Sequence, residues 1–432
     1  MNYSIVAPFY PIEAHEKATS ATMVGIIVGS FTFSSCVFAF GVTKIISSKL
    51  KFFFFNSGSL IGAVSMICLG MLKFSSPGVP FYVMSIFCRV FSGLGASFLW
   101  SSAYPAISSI KTEWVAILAP LVSLSVGFGT IIGPPIGSLI YNFGGYAITF
   151  FVIGGFEVVL SLIFMLISFL CNDNVHANEE DVKIQLKSIF RLTINYNMVI
   201  ISLPLTATVS MLGLIDTVLA PYLVNVLSMT TNNDGLVFAM QSASSGIANL
   251  LILPMPRKGY GSIIFAIGPF LISLGGLLFW LQAVFDFLRS IVFVTFCLVL
   301  IAFGASAIIL NGYLMYEKIS LSSNIATPDN LKLIAATWQN IVYSSGGAVG
   351  AAFFGGIYYE KVGIFNSFLT IGILALVVSV MNLIVLRSLK LLRKTYFFTG
   401  KEEETPLLEG SKKHSSLVNN EMSMDPRTLS LR

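Results

Sequence analysis

Apolar residues fill long segments of the chain, and the charged residues are concentrated in the short stretches between them. A helix needs about 20 apolar residues to cross the roughly 30 Å hydrocarbon core of a bilayer. Eleven segments reach this length, near residues 22–46, 52–72, 80–107, 115–141, 146–171, 197–226, 236–253, 262–281, 290–315, 333–358 and 364–386. The pattern therefore predicts an all-α protein that crosses a membrane many times.

One segment carries small residues at helical spacing. Gly129, Gly133 and Gly137 share a helix face, and small residues at this spacing let a second helix approach closely inside a membrane. Pro134 and Pro135 lie in the same stretch, and each proline removes a backbone donor and bends the helix. Spacing alone fits a kinked packing helix in any membrane bundle as well as it fits a conformational role.

A second copy of this stretch lies near the end of the chain. Superposing Tyr141 on Tyr359 gives an offset of 218 (359 − 141 = 218). At that offset three glycines fall on glycines: Gly129 on Gly347, Gly137 on Gly355 and Gly145 on Gly363. The proline pair has no counterpart in the second copy. The match predicts two repeats in the same orientation, an arrangement that several transporter folds use.

Such a repeat requires an even number of spans per half, so twelve are expected and the first should precede Pro11. The ten available residues would rise only about 15 Å as a helix, so we expect a first helix with an incomplete start. The predicted organisation is an N-terminal helical half at 1–171, a central loop at 172–195, a C-terminal helical half at 196–388 and a tail at 389–432.

Basic residues are divided unevenly between the two sides that the spans define. About fifteen lie in the loops and tail of one side, and the other side has Lys17, Lys73, Arg289 and Lys361. Lys and Arg are enriched in cytosolic loops, so the central loop and a disordered polar tail are predicted to be cytosolic. The net charge of +5 is spread over these regions, which indicates contact with anionic lipid and gives no sign of a nucleic-acid partner.

Neither a metal site nor a cofactor nor an enzyme is predicted. The five cysteines lack paired spacing, which argues against a disulfide framework or a metal site. His15, His176 and His414 stand alone in polar stretches without a second ligand at helical spacing. No nucleophile, base and orienting group form a recognisable motif.

Three ionisable residues lie well inside apolar segments: Arg89, Glu157 and Asp216. A charge at the centre of a membrane helix costs at least about 2.5–3.5 kcal/mol, so such residues usually face a partner or a water-filled path. Asp216 is predicted to hold a proton or a cationic substrate, with a plain hydrogen bond to a neighbouring helix as the alternative. Arg89 fits either a fixed ion pair or a coupling role, and Glu157 either a lipid-facing position or a partner for Arg89.

Polar residues in the second half are candidates for lining a cavity, although most of them would equally suit bonds between helices. They are Gln241, Asn311, Tyr313 and Gln339, with Asn249, Trp338 and Asn340 beside them. In the tail, Glu403 precedes Leu407 and Leu408 at the spacing of an acidic dileucine signal. This motif predicts a sorting adaptor as a partner.

These motifs together resemble the major facilitator superfamily. Residues 89–95, Arg-Val-Phe-Ser-Gly-Leu-Gly, look like its fourth-helix motif, and residues 129–139 look like its fifth-helix antiporter motif. Residues 7–14, Ala-Pro-Phe-Tyr-Pro-Ile-Glu-Ala, together with residues 214–217 and 133–137, look closer to the vesicular amine transporters, particularly their polyamine-transporting branch. The segment at 302–315 departs from those relatives because it lacks an internal acid.

The resemblance implies a bundle of two six-helix halves in which an acid placed like Asp216 recognises a cation or couples to protons. We therefore expect a proton-coupled antiporter of small organic cations, such as polyamines or amines, with protons and the lipid bilayer as its other partners. A vesicular or lysosomal membrane is favoured over the plasma membrane. The alternative is a membrane scaffold or receptor that keeps the transporter fold without transporting.

Overall fold

The chain folds almost entirely into helices. The structure is a computed structural model that describes residues 2–45, 51–108, 112–170, 195–229, 231–256, 258–322 and 328–388. All regular secondary structure within those ranges is helical, as the apolar segments predicted.

Two groups of helices follow one another along the chain, and we call them the first half and the second half. The first half contains α1 (Asn2–Glu16), α2 (Ala21–Ile45), α3 (Lys51–Met71), α4 (Val79–Ser108) and α5 (Thr112–Leu170). The second half contains α6 (Tyr196–Asn225), α7 (Thr231–Ile252), α8 (Gly261–Leu281), α9 (Ile291–Ser322), α10 (Pro328–Ala348), a π-helix (Val349–Tyr358) and α11 (Tyr359–Ser388). Short 3₁₀ turns at Leu72–Phe74 and Asp286–Leu288 follow α3 and α8.

Two glycines interrupt the long helical runs at equivalent places. Gly145 has φ 68° and ψ −164°, and Gly363 has φ 81° and ψ 173°. This backbone conformation is essentially restricted to glycine, and the two positions are separated by the repeat offset (363 − 145 = 218). The breaks divide α5 into two segments and separate the run of α10 and the π-helix from most of α11. The described residues therefore form twelve helical segments, six in each half.

The first of the twelve segments is short. α1 continues through Pro8 and Pro11 to Glu16, which is further than the proline positions suggested. Residues 5–11 are all buried, so packing holds the helix together where the prolines remove donors. Its 15 residues rise about 22 Å, at 1.5 Å per residue, which is less than the thickness of the apolar core.

The bundle has the apolar exterior of a multi-pass membrane protein. Within the described ranges, nine helical stretches are long and apolar enough to cross a membrane, and two of these contain the breaks at Gly145 and Gly363. Phe33, Phe87 and Phe156 are examples of large apolar side chains that face outward. The span in α6 is 72% buried, whereas the stretch at Ile132–Leu170 is 22% buried. α6 is therefore a central helix of the bundle.

Two equivalent contacts join the halves, and each pairs the second segment of one half with the fifth segment of the other. The second segment of the first half, α2, packs against the π-helix, which belongs to the fifth segment of the second half. The fifth segment of the first half, in α5, packs against α7, the second segment of the second half. Gly25 allows the first contact, because a Cβ there would lie 2.6 Å from Gly356 Cα. Gly235 allows the second by packing directly on Ser138.

Candidate functional site

Asp216 lies on the central helix, close to the junction of the two halves. Its side chain is half-buried, whereas Leu214, Ile215 and Thr217 around it are buried. The carboxylate interacts electrostatically with Tyr343 of α10. The helix with the largest buried share therefore carries an acid whose side chain is only partly buried.

Asp216 is placed by a tight backbone contact between α6 and the end of α10. Ser210 Oγ donates a hydrogen bond to the Gly346 carbonyl at 3.0 Å. A Cβ at Gly213 would lie 2.9 Å from the Gly347 carbonyl oxygen. Two of the predicted conformational residues therefore contact this helix: Gly347 faces Gly213, and Gly355 packs directly on Thr217, next to Asp216. Gly347 also faces Thr32 of α2, so three helices converge here.

The two copies of the glycine pattern differ: the first contains the proline pair, and the second contains a π-helix. The π-helix at Val349–Tyr358 corresponds, at the repeat offset, to residues 131–140 (349 − 218 = 131; 358 − 218 = 140). That range contains the proline pair, of which Pro134 is buried and Pro135 half-buried. A π-helix replaces the i→i+4 hydrogen bonds of an α-helix with i→i+5 bonds, and proline removes a hydrogen bond altogether. The second copy therefore lacks prolines but has its own departure from α-helical geometry.

One of the predicted α5 glycines, Gly137, lies at the contact with α1. A Cβ at Gly137 would lie 2.8 Å from Phe9 Cε2, and the Phe9 ring stacks on Tyr141 with 4.8 Å between centroids. Gly133 is buried and Gly129 half-buried on the same helix. α1 also packs on α6. The short first helix thus connects the α5 stretch with the helix that carries Asp216.

Arg89 joins α4 to α2. Its side chain is buried, its Nη2 donates to the Val28 carbonyl at 3.3 Å, and its guanidinium lies 4.7 Å from the centroid of the Phe31 ring. Glu157 lies in the segment after the Gly145 break, where its carbonyl accepts from Ser161 Oγ at 2.8 Å. That segment has an exposed apolar outer face, and Glu157 itself is half-buried.

The polar residues that were predicted to line a cavity in the second half differ in their hydrogen-bond partners. Asn311 is buried and donates to the Ala307 carbonyl of its own helix at 2.8 Å. Gln339 Nε2 donates to the Ile309 carbonyl at 3.0 Å and so ties α10 to α9. Gln241 and Tyr313 are half-buried. The predicted sorting residues, Glu403, Leu407 and Leu408, lie outside the described residues.

Sequence reasoning missed an ion pair at one end of the bundle. Glu13 of α1 is 2% exposed, and its Oε2 lies 2.9 Å from Lys73 Nζ in the turn after α3. The same ammonium lies 3.4 Å from Glu16, a more exposed acid. Lys17 Nζ donates to the carbonyls of Lys73 and Ser75 at 2.9 and 2.7 Å. The sequence showed an acid in a short apolar stretch, but nothing in it related that acid to a lysine 60 residues away.

The two halves also bond to each other at this end, which we call the Lys73 end. Glu360 Oε2 accepts from the Thr22 backbone N–H at 3.0 Å and from the Thr22 hydroxyl. Deeper in the bundle, Ser344 Oγ donates to Ser35 Oγ at 3.3 Å. Together with the contact at Gly25, these bonds hold α2 against the second half from the Lys73 end inwards.

Twelve helical segments among the described residues, in two repeats with a π-helix where the halves meet, define a membrane transporter fold. The family model described as Major Facilitator Superfamily matches residues 1–320, and the chain belongs to that superfamily. The chain is 28% identical over 255 residues to the MFS-type transporter SLC18B1 of Mus musculus, and 27% identical over 256 residues to that of Homo sapiens. Each match covers 58% of this chain and 53% of the relative, so the chain spans about half the length of the curated relatives it matches. These relatives confirm the predicted resemblance to the vesicular amine transporter branch.

Solved transporter structures share the fold at low sequence identity. One is a bacterial homologue of the human lysosomal transporter Spinster in an inward-facing, occupied conformation, with a TM-score of 0.65 and 12% identity over 90% of this chain and 94% of that one. Another is the nucleoside transporter NupG, with a TM-score of 0.62 and 14% identity over 89% of this chain and 96% of that one. These matches confirm the major facilitator architecture that the repeat and motifs predicted.

Proposed function

We propose that the protein is a secondary active transporter that exchanges small organic cations, such as polyamines or amines, for protons across a vesicular or lysosomal membrane. One observation carries the proposal most directly: Asp216 is half-buried within the most buried span, beside the junction of the halves. An acid at membrane depth usually faces a charged partner or a water-filled path, and a cationic substrate supplies such a partner.

The contacts between the halves support a rocking mechanism. α2 and the π-helix close the Lys73 end, while α5 and α7 form the related contact through Gly235 and Ser138. Separating α2 from the π-helix would open the Lys73 end to the site around Asp216. The excess of basic residues on the opposite side favours a lumenal position for the Lys73 end.

The relatives support the choice of substrate and membrane. The matched proteins are transporters of the vesicular amine branch, and one structural neighbour is a bacterial homologue of a human lysosomal transporter. An acid on α6 has the charge needed to bind a protonated amine.

Uptake into proteoliposomes tests the proposal. The purified protein should accumulate labelled spermidine when the interior is acid, and Asp216→Asn should lower uptake at least tenfold. A hydrogen bond to a charged group contributes about 1.5–3 kcal/mol, and every 1.4 kcal/mol is about tenfold in affinity. Asp286→Asn is the matched control because Asp286 is an exposed acid paired with Arg289. Unchanged uptake in Asp216→Asn would refute the assigned site, and spermidine binding without transport would favour a receptor.

A further inference from the structure

Glu13 is exceptional among the carboxylates of the described residues, since it is the only one with less than a tenth of its surface exposed. Its Oε2 is paired with Lys73, and its Oε1 is buried with no hydrogen-bond partner among the described groups. A buried acceptor that is left unsatisfied is destabilising, and more so when it is charged. A proton on this carboxyl group would remove the charge and so lower that cost.

We propose that Glu13 is a proton-binding site of this transporter, separate from Asp216, and that Lys73 is its counter-cation in the present conformation. The inference rests on the transport function proposed above. It goes beyond that function because it assigns the proton and the organic cation to different carboxylates.

The surroundings of Glu13 suit a group that changes its charge. Lys73 contacts it from the turn after α3, and Tyr146, after the Gly145 break, interacts with it electrostatically. The other titratable groups nearby are Glu16 and Lys17 beside it in the chain, and Tyr10, Cys88 and Arg89, which interact with Tyr146. The hydroxyl of Tyr146 is buried and has no hydrogen-bond partner among the described groups. Glu13 therefore faces a small enclosed polar cluster with unused hydrogen-bonding capacity.

Protons can reach the site from the aqueous phase at the Lys73 end. The Lys73 side chain is 44% exposed, and Glu16, its second partner, is 60% exposed. When a proton from water binds the Glu13 carboxylate, one O–H bond forms and the charge of the acid is removed. Lys73 keeps its charge and retains Glu16 as its partner, 3.4 Å away. The pair Glu13–Lys73 therefore changes from neutral to a net charge of +1.

The first helix, α1, connects Glu13 with the helices α5 and α6. Phe9 lies one helical turn from Glu13 and packs on Gly137 and Tyr141 of the proline-containing stretch in α5. The same helix packs on α6, which carries Asp216. Loss of the bond to Lys73 weakens the attachment of α1 to the turn after α3, which then depends on Glu16 and Lys17, and a movement of α1 acts on both neighbours. The test therefore separates proton coupling from substrate binding.

Two transport measurements separate proton coupling from substrate binding: accumulation driven by a pH gradient, and exchange without a gradient. Glu13→Gln should abolish accumulation of labelled spermidine driven by an acid interior, because the proton site is lost. It should keep exchange of labelled for unlabelled spermidine without a gradient, because Asp216 is intact. Asp216→Asn should lose both modes. Asp286→Asn is the matched control, since it removes an exposed carboxylate of the second half that pairs with Arg289, and it should keep both.

Two further variants test the role of Lys73 and provide a second test if Glu13→Gln does not fold. Lys73→Gln leaves the Glu13 carboxylate without its cation, which favours the protonated form, so the pH midpoint of uptake should rise. If Glu13→Gln alone is unstable, the Glu13→Gln/Lys73→Gln double variant, which leaves no buried charge at this site, should still show exchange without gradient-driven accumulation. Gradient-driven accumulation in either Glu13 variant would overturn the proposal. Absence of all transport in the wild-type protein would instead overturn the proposed function itself.

Discussion

Gly25 offers the sharpest test of how the halves close at the Lys73 end. A Cβ at this position would lie 2.5 Å from the Ala351 carbonyl oxygen and 2.6 Å from Gly356 Cα. Both atoms belong to the backbone of the π-helix, so no side-chain rotation can relieve the overlap. Ordinary carbon contacts lie at about 3.5–4.0 Å. In Gly25→Ala, α2 and the π-helix must therefore move apart by about 1 Å.

This separation affects one conformation selectively. Overpacking of a tight contact costs about 1–3 kcal/mol, and here the cost applies only while α2 and the π-helix touch. A free-energy difference of that size changes an equilibrium about 5- to 150-fold. Gly25→Ala should therefore shift the population from the conformation closed at the Lys73 end towards the one open at that end.

Spin labels at the Lys73 end can measure the shift. Ser76 and Lys361 are exposed residues of the first and second halves, and each can be replaced with cysteine after the five native cysteines are removed. The distance distribution between the labels should move to longer values in Gly25→Ala. Gly41→Ala is the matched control on the same helix, since a Cβ there meets nothing within 4 Å. An unchanged distribution in Gly25→Ala, or an equal shift in Gly41→Ala, would refute the reasoning.

The sequence was sufficient for the features that depend on local pattern. Apolar length predicted the spans, and the offset of 218 paired Gly145 with Gly363, which the structure shows in the same glycine-specific conformation. Asp216 could be selected because an acid within an apolar helix is costly wherever the helix packs. The sequence predicts these features because each depends on a single segment or on the similarity of two segments.

Features that depend on packing between distant segments could not be read from the sequence. The Glu13–Lys73 pair joins residues 60 positions apart, and the pairing depends on how α1 and α3 end at the same side of the bundle. The π-helix has no proline or other local marker for its irregular hydrogen bonds. It lies where Gly25 and Gly213 bring α2 and α6 against one strip of backbone, so its geometry depends on two neighbours at once.

Stability measurements provide two further predictions about the packing that supports the site. Gly363→Ala should lower the thermal midpoint, because an alanine at φ 81° is strained by about 1–3 kcal/mol although its Cβ would meet nothing within 4 Å. Gly155→Ala, in equally open space but within a helix, should leave the midpoint unchanged or raise it slightly. Phe279→Ala should destabilise the second half by about 3–5 kcal/mol, since this buried ring stacks on Phe368 with centroids 3.9 Å apart. Phe287→Ala, at a ring that is 79% exposed, should change stability by less than about 0.5 kcal/mol, and equal losses in the two phenylalanine variants would contradict the packing described here.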